Sequence, residues 1–243
     1  EELESFHYLK AELGGLGFAT ELISHDAYIS LPGTARIEAG PESPACITHS
    51  FSRPSGPDGI TGEMVEIGFG TENDFAANDV AGKIVLVDGL AAPAVSLRAS
   101  RAGAIGQIHV SVHEHKHEMC ISPVWGSPTP DTLVNLPSTV VVTVSKADGE
   151  MLKARVARGE GEVTLFAEVD TGWRKTPILV ADMASEGGGS TEPFIMFSGH
   201  HDTWYQGVMD NGGATATMLE VARLVSQDRA AWRRGLRLCF WSG

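Results

Sequence analysis

Phe194-Ile195-Met196-Phe197-Ser198-Gly199-His200-His201-Asp202 is followed, after 203–208, by Met209-Asp210-Asn211-Gly212-Gly213. The apolar run Phe194–Phe197, bounded by Pro193 and Gly199, predicts a short buried strand. Beyond Asp210 the pattern changes: Ala214, Met218, Val221, Ala222 and Val225 recur at helical spacing. Two histidines and two acids therefore sit where a strand gives way to a loop and then to a helix. In open α/β sheets that end of a strand is where ligands bind.

The spacing has a chemical meaning. In an extended backbone His200 and Asp202 face the same side. A metal-bound imidazole usually gives its other N–H to a carboxylate, which fixes its tautomer, and Asp202 is placed for that role. Asp210, just ahead of the helix, carries two oxygens and can bridge two metal ions about 3.5–4 Å apart.

His200-x-Asp202, then Asp210-Asn211-Gly212, a small-residue helix and the strand Leu236–Trp241 ending in Ser242-Gly243 resemble the di-zinc exopeptidases. That family takes in bacterial leucyl aminopeptidases and the glutamate carboxypeptidase branch. His200-His201-Asp202-Thr203-Trp204 most resembles the latter. The resemblance implies two Zn2+ per complete site, with His200 a ligand of one, Asp210 the bridging ligand and Asp202 orienting His200. It also implies a cis peptide at Asp210–Asn211. His201, Trp204 and Asn211 are candidates for the substrate cleft. In the family the general-base Glu and the remaining acidic and His ligands come after the strand that here reaches Gly243. The expectation is a chain cut inside its active site, inactive as residues 1–243 alone.

Composition narrows the classes. The 243 residues are 42% hydrophobic with a net charge of −13, which argues against a nucleic-acid surface and for an acidic soluble protein. No run approaches the length of a membrane-spanning helix. Glu1-Glu2-Leu3-Glu4 lacks the basic and apolar regions of a signal peptide. Cys46, Cys120 and Cys239 are widely spaced and form neither a disulfide framework nor a zinc knuckle. They favour a reducing, cytoplasmic compartment; a signal removed ahead of residue 1 leaves a secreted or periplasmic one open. Gly14-Gly15-Leu16-Gly17 follows a helix, so it is no dinucleotide fingerprint. Ser242 lacks the context of a nucleophile elbow.

From the N-terminus, Leu3, Phe6, Leu9 and Leu13 predict an amphipathic helix ending at Gly14-Gly15. Phe18–Ile23 and Tyr28–Leu31 read as a strand pair, with a turn at Pro32-Gly33. Residues 41–62, rich in Pro, Ser and Gly, read as a long loop or boundary. Strands follow at Met64–Gly70, Ile84–Val87, Ala104–Val112, Val140–Val144 and Gly161–Val169. Helices at Ala94–Ala102 and Lys146–Arg158 are ended by Gly103 and Gly159, and a short strand lies at Pro177–Ala181. Val80-Ala81-Gly82-Lys83-Ile84-Val85-Leu86-Val87 and Arg101-Ala102-Gly103-Ala104-Ile105-Gly106 resemble the protease-associated domain. The expected fold is α/β: a zinc-peptidase mixed sheet flanked by helices, incomplete, with an inserted β-rich α/β protease-associated domain. The expected division is 1–44, 45–172 and 173–243.

His201 faces away from His200 in an extended backbone, which favours a packed or solvent-facing ring over a cleft residue. His113, His115 and His117 alternate; on a strand they would share a face and suit a transition metal, but the proline-rich surroundings favour a solvated loop. The reading that follows is hydrolysis of a peptide bond by metal-activated water, in an aminopeptidase or carboxypeptidase-like exopeptidase. An amidohydrolase of non-peptide amides and a non-catalytic receptor-like binding protein of the same fold are the alternatives. The implied partner is a peptide or amide, with no nucleic acid and no membrane span; a homodimer is left open. No arginine cluster marks a specificity for acidic side chains.

Overall fold

The structure, a computed structural model, describes residues 2–189, 192–203 and 207–242. Along the chain run α1 (Glu2–Gly15), β1 (Ala19–Glu38), β2 (Cys46–Thr48), β3 (Ile60–Glu66), α2 (Glu72–Ala77), β4 (Ile84–Asp88), α3 (Pro93–Arg101), β5 (Gly106–Val110), β6 (Val140–Val144), α4 (Lys146–Ala157), β7 (Glu162–Met183), β8 (Phe194–His200), α5 (Ala214–Ser226) and β9 (Gly235–Trp241). The chain packs as two compact units, one of Tyr28–Trp173 and one of Glu1–Ala27 with Arg174–Gly243. The long strands β1 and β7 pair with each other, and each passes from one unit into the other.

In the unit of Tyr28–Trp173 the strand order is β2-β6-β5-β4-β3-β7. The four inner strands are parallel, and β2 and β7 flank them antiparallel. Parallel strands are covered on both faces, so they read as unbroken apolar runs. Ile84-Val85-Leu86-Val87 shows why. Ile84 and Leu86 join Ile108, Val142 and Leu152 of α4 in one core. Val85 and Val87 join Val95 and Ala99 of α3 on the other side. Ser145 caps α4 by accepting the Asp148 N–H, and Gly159, at φ 74°, ends it.

The second unit is built around the sheet segment β7-β9-β8, with β9 antiparallel to β7 and parallel to β8. Leu179, Ala181 and Met183 of β7 line up with Leu238 and Phe240 of β9 on one face. Phe6, Leu9 and Leu13 of α1 and Met218 and Ala222 of α5 complete that core. On the other face the Arg237 guanidinium holds both carboxylate oxygens of Asp182, at 2.7 and 2.9 Å, and lies 4.4 Å from the Phe194 ring centre.

Several expectations change. No turn forms at Pro32-Gly33; β1 runs straight through both. Among the described residues β1 pairs with β7 alone, and a proline is tolerated where its missing N–H costs no ladder bond. The predicted strands at 161–169 and 177–181 are one strand, because the polar stretch between them stays extended. Helix α1 does end at Gly15, as expected, and the chain turns at Gly17, whose φ is 93°. Helix α2 is absent from the sequence reading although Thr71 and Asp74 form a full capping box. Strand β8 is not buried: Phe194, Ile195 and Met196 are 44%, 60% and 51% exposed. Among the described residues only β9 borders it, so its other edge is open.

Polar groups are buried in the unit of Tyr28–Trp173 as well. His49 and His109 are both inaccessible to solvent. The Met119 N–H donates to His49 Nδ1 at 3.1 Å, and His49 Nε2 meets Thr143 Oγ1 at 2.8 Å. Burial, with the neighbouring His109 and His117 adding to it, pushes the His49 pKa down to about 3. Burial likewise brings His109 to about 4.

Two outcomes follow for folding. Once unfolded, both rings titrate near pH 6.5, so above that pH the protonation of both states matches. As pH falls below about 6.5 the unfolded chain takes up protons that the folded chain does not, and stability declines toward pH 3–4. Urea unfolding at stepped pH should show this loss, with each histidine contributing a slope of roughly 1 kcal/mol per pH unit, so that a His109→Gln variant keeps only the share of His49. Gly149 is the second case. A Cβ added there would sit 2.1 Å from Val110 Cγ1, so α4 lies directly on β5 at this point. Gly149→Ala, favourable by helix propensity, should instead cost about 1–3 kcal/mol in the same measurement.

Candidate metal centre

Strand β8 ends at His200, opposite Trp241 of β9. The His201 N–H extends the ladder by one bond, to the Trp241 carbonyl at 2.7 Å. The chain then leaves the sheet, and from Gly207 (φ 68°) it enters a wide helical turn, Val208–Gly213, that leads into α5. Within that turn Asp210 and Asn211 have non-helical backbone angles, and the peptide between them is cis. The Gly212 N–H closes the turn on the Gly207 carbonyl at 2.7 Å.

This path brings three predicted residues together. His200 Nδ1 lies 2.7 Å from Asp202 Oδ1, and His200 Nε2 lies 3.1 Å from Asp210 Oδ1. Asp202 lies just past the end of β8 rather than on it, yet its carboxylate reaches the ring. The Asn211 side-chain amide donates to the His200 carbonyl at 3.0 Å. The side chains of His200, Asp202 and Asp210 are 40–60% exposed, open to a ligand from solvent.

The electrostatics are specific. When the His200 Nδ1–H donates to Asp202, Nε2 carries a lone pair. That lone pair then faces a carboxylate oxygen at 3.1 Å, two acceptors with nothing to share. A positive charge between them, a proton or a metal ion, removes the conflict. Donors in a tetrahedral zinc site, at about 2.0–2.2 Å from the ion, stand roughly 3.3 Å from each other, so this pair fits the spacing. Among the described residues no group of three or more His, Cys, Asp or Glu side chains gathers for a metal. These residues thus supply two donors of a site that ordinarily needs three protein ligands.

His201 turns to the other side. Its ring meets Phe6 edge-on at 4.7 Å and Phe240 at 6.5 Å, with Nε2 2.7 Å from Ser5 Oγ and Nδ1 3.5 Å from Thr215 Oγ1. Its burial lowers the pKa below the ordinary histidine value. The sequence holds no local signal for this, since Ser5 is 196 positions away. Trp204 lies outside the described residues. His113, His115 and His117 are exposed in a loop without regular structure.

Residues 180–243 match the family model described as Peptidase family M28. The chain is 28% identical over 179 residues to Aminopeptidase YwaD of Bacillus subtilis (strain 168), an alignment covering 72% of this chain and 36% of that protein. Among solved structures it is similar to an aminopeptidase from Aneurinibacillus sp. strain AM-1, with a TM-score of 0.73, 22% identity, and coverage of 100% of this chain and 57% of that one. It is similar too to BSAP, a zinc aminopeptidase from Bacillus subtilis, with a TM-score of 0.72, 20% identity, and coverage of 100% and 55%. The chain therefore spans little more than half of these structures and about a third of the curated relative. The α/β fold, with its mixed sheet flanked by helices, is theirs. Residues 180–243, the part that matches peptidase family M28, hold His200, Asp202 and Asp210.

Proposed function

We propose that the whole protein is a zinc-dependent exopeptidase of the aminopeptidase kind, and that this chain supplies one part of its two-zinc site. The observation that carries the reading is the pair of acceptors, His200 Nε2 and Asp210 Oδ1, held 3.1 Å apart. The aminopeptidases that share the fold and the family match support it.

Each residue has a role in this reading. His200 would hold one zinc through Nε2. Asp202 keeps the Nδ1–H tautomer in place and strengthens the imidazole as a donor. Asp210, which has a second carboxylate oxygen, would be the ligand shared by both ions. Bound zinc lowers the pKa of a coordinated water and polarises the scissile carbonyl. The general base and the other ligands lie outside residues 1–243. In the same reading residues 45–172 are a protease-associated domain inserted between the peptidase segments 1–44 and 173–243. Trp204 and Asn211 border the substrate cleft. His201, engaged with Ser5 and Phe6, supports it from behind.

The test uses the full-length protein. Metal analysis should find two zinc ions per chain, and leucine p-nitroanilide should be hydrolysed. His200→Ala should abolish both the zinc pairing and the hydrolysis. Asp202→Asn should reduce metal affinity or activity by about 10–100-fold. A protein with no stoichiometric zinc and no hydrolysis is instead a binding protein on this fold. Cleavage of peptides from the carboxyl end alone would turn the assignment to a carboxypeptidase.

A further inference from the structure

Asp210 sits on an exposed loop, and its carboxylate is 60% exposed. When the His200 Nδ1–H donates to Asp202 and Nε2 carries a lone pair, Asp210 Oδ1 faces that lone pair, and its own backbone angles are not helical. It stays within 3.1 Å nonetheless. Two hydrogen bonds hold the loop there. The Gly212 N–H closes the turn on the Gly207 carbonyl from one side. From the other, the Asn211 amide donates to the main-chain carbonyl of His200 itself.

The second bond is the informative one. It runs from the residue next to one donor to the backbone of the residue that carries the other. It therefore fixes the separation of the two donors directly. Asparagine suits the position because it offers a neutral N–H donor on a short side chain. A carboxylate there would face a carbonyl oxygen and add charge beside Asp202 and Asp210.

We propose that Asn211 is a positioning residue that preorganises the cation site by tying the Asp210 loop to the last residue of β8; this rests on the metal reading above. Gly212 shares the task. A Cβ added to it would stand 2.4 Å from the Gly207 carbonyl oxygen, which is backbone and cannot rotate away, so any side chain opens the turn.

Zinc affinity of the full-length protein, measured by competition with a chelating dye, tests the proposal together with the thermal midpoint of the metal-free form. Asn211→Ala should weaken zinc binding about tenfold or more, as loss of an outer-sphere hydrogen bond does, while the metal-free midpoint stays close to wild type. Gly212→Ala should weaken binding in the same direction. Thr217→Ala removes a comparable bond, from the Thr217 hydroxyl to the Gly213 carbonyl, and should leave affinity unchanged. Wild-type protein that takes up no zinc overturns the metal reading and this proposal with it. Wild type that binds zinc, with Asn211→Ala binding it equally, overturns this proposal alone. So does an Asn211→Ala loss matched by a collapse of the metal-free midpoint, since that is a general structural role.

Discussion

The site depends on the close approach of two atoms. His200 Nε2 and Asp210 Oδ1 stand 3.1 Å apart. The protein keeps them there by spending hydrogen bonds on everything around them. Asp202 decides which ring nitrogen carries the proton, Asn211 anchors the loop, and Gly212 closes it. The strand below provides the fixed end, because His200 is the last residue of β8 and is paired with β9. On the proposed metal reading this is preorganisation: the two atoms stand in place before a cation arrives.

His201 shows how the neighbouring position serves the opposite purpose. Extended backbone sends it to the other face, where Ser5, Phe6, Thr215 and Phe240 surround it. Two adjacent histidines thus do different things. One stays open to solvent and free to ligate. The other joins α1 to the sheet and to α5, and its burial disfavours the charged form.

The parts of this structure that were legible in the sequence are those written in local chemistry. His200-x-Asp202 announced a carboxylate beside an imidazole, which the 2.7 Å contact shows. Gly103 and Gly159 marked helix ends that the structure closes with left-handed glycines. The buried parallel strands β4 and β6 showed as unbroken apolar runs. What was not legible depended on distant partners. Pro32-Gly33 and the polar stretch before Pro177 look like breaks until β1 and β7 are seen pairing with each other. Phe194–Met196 reads as buried because apolarity reports a need for cover without saying where the cover comes from. The Ser5 contact to His201 has no trace in either segment alone. Helix α2 was legible and overlooked, since the capping box of Thr71 and Asp74 is plain in the sequence.

Arg237 has a consequence for the site although it touches none of its residues. It grips Asp182 on one neighbouring strand and covers Phe194 on the other, so one side chain spans β7, β9 and β8. Side chains alternate faces along a strand, so a shift of β8 by a single position would exchange His200 with its neighbour. His200 would then point into the core and His201 into solvent. By tying three strands in step, this guanidinium selects which histidine faces solvent.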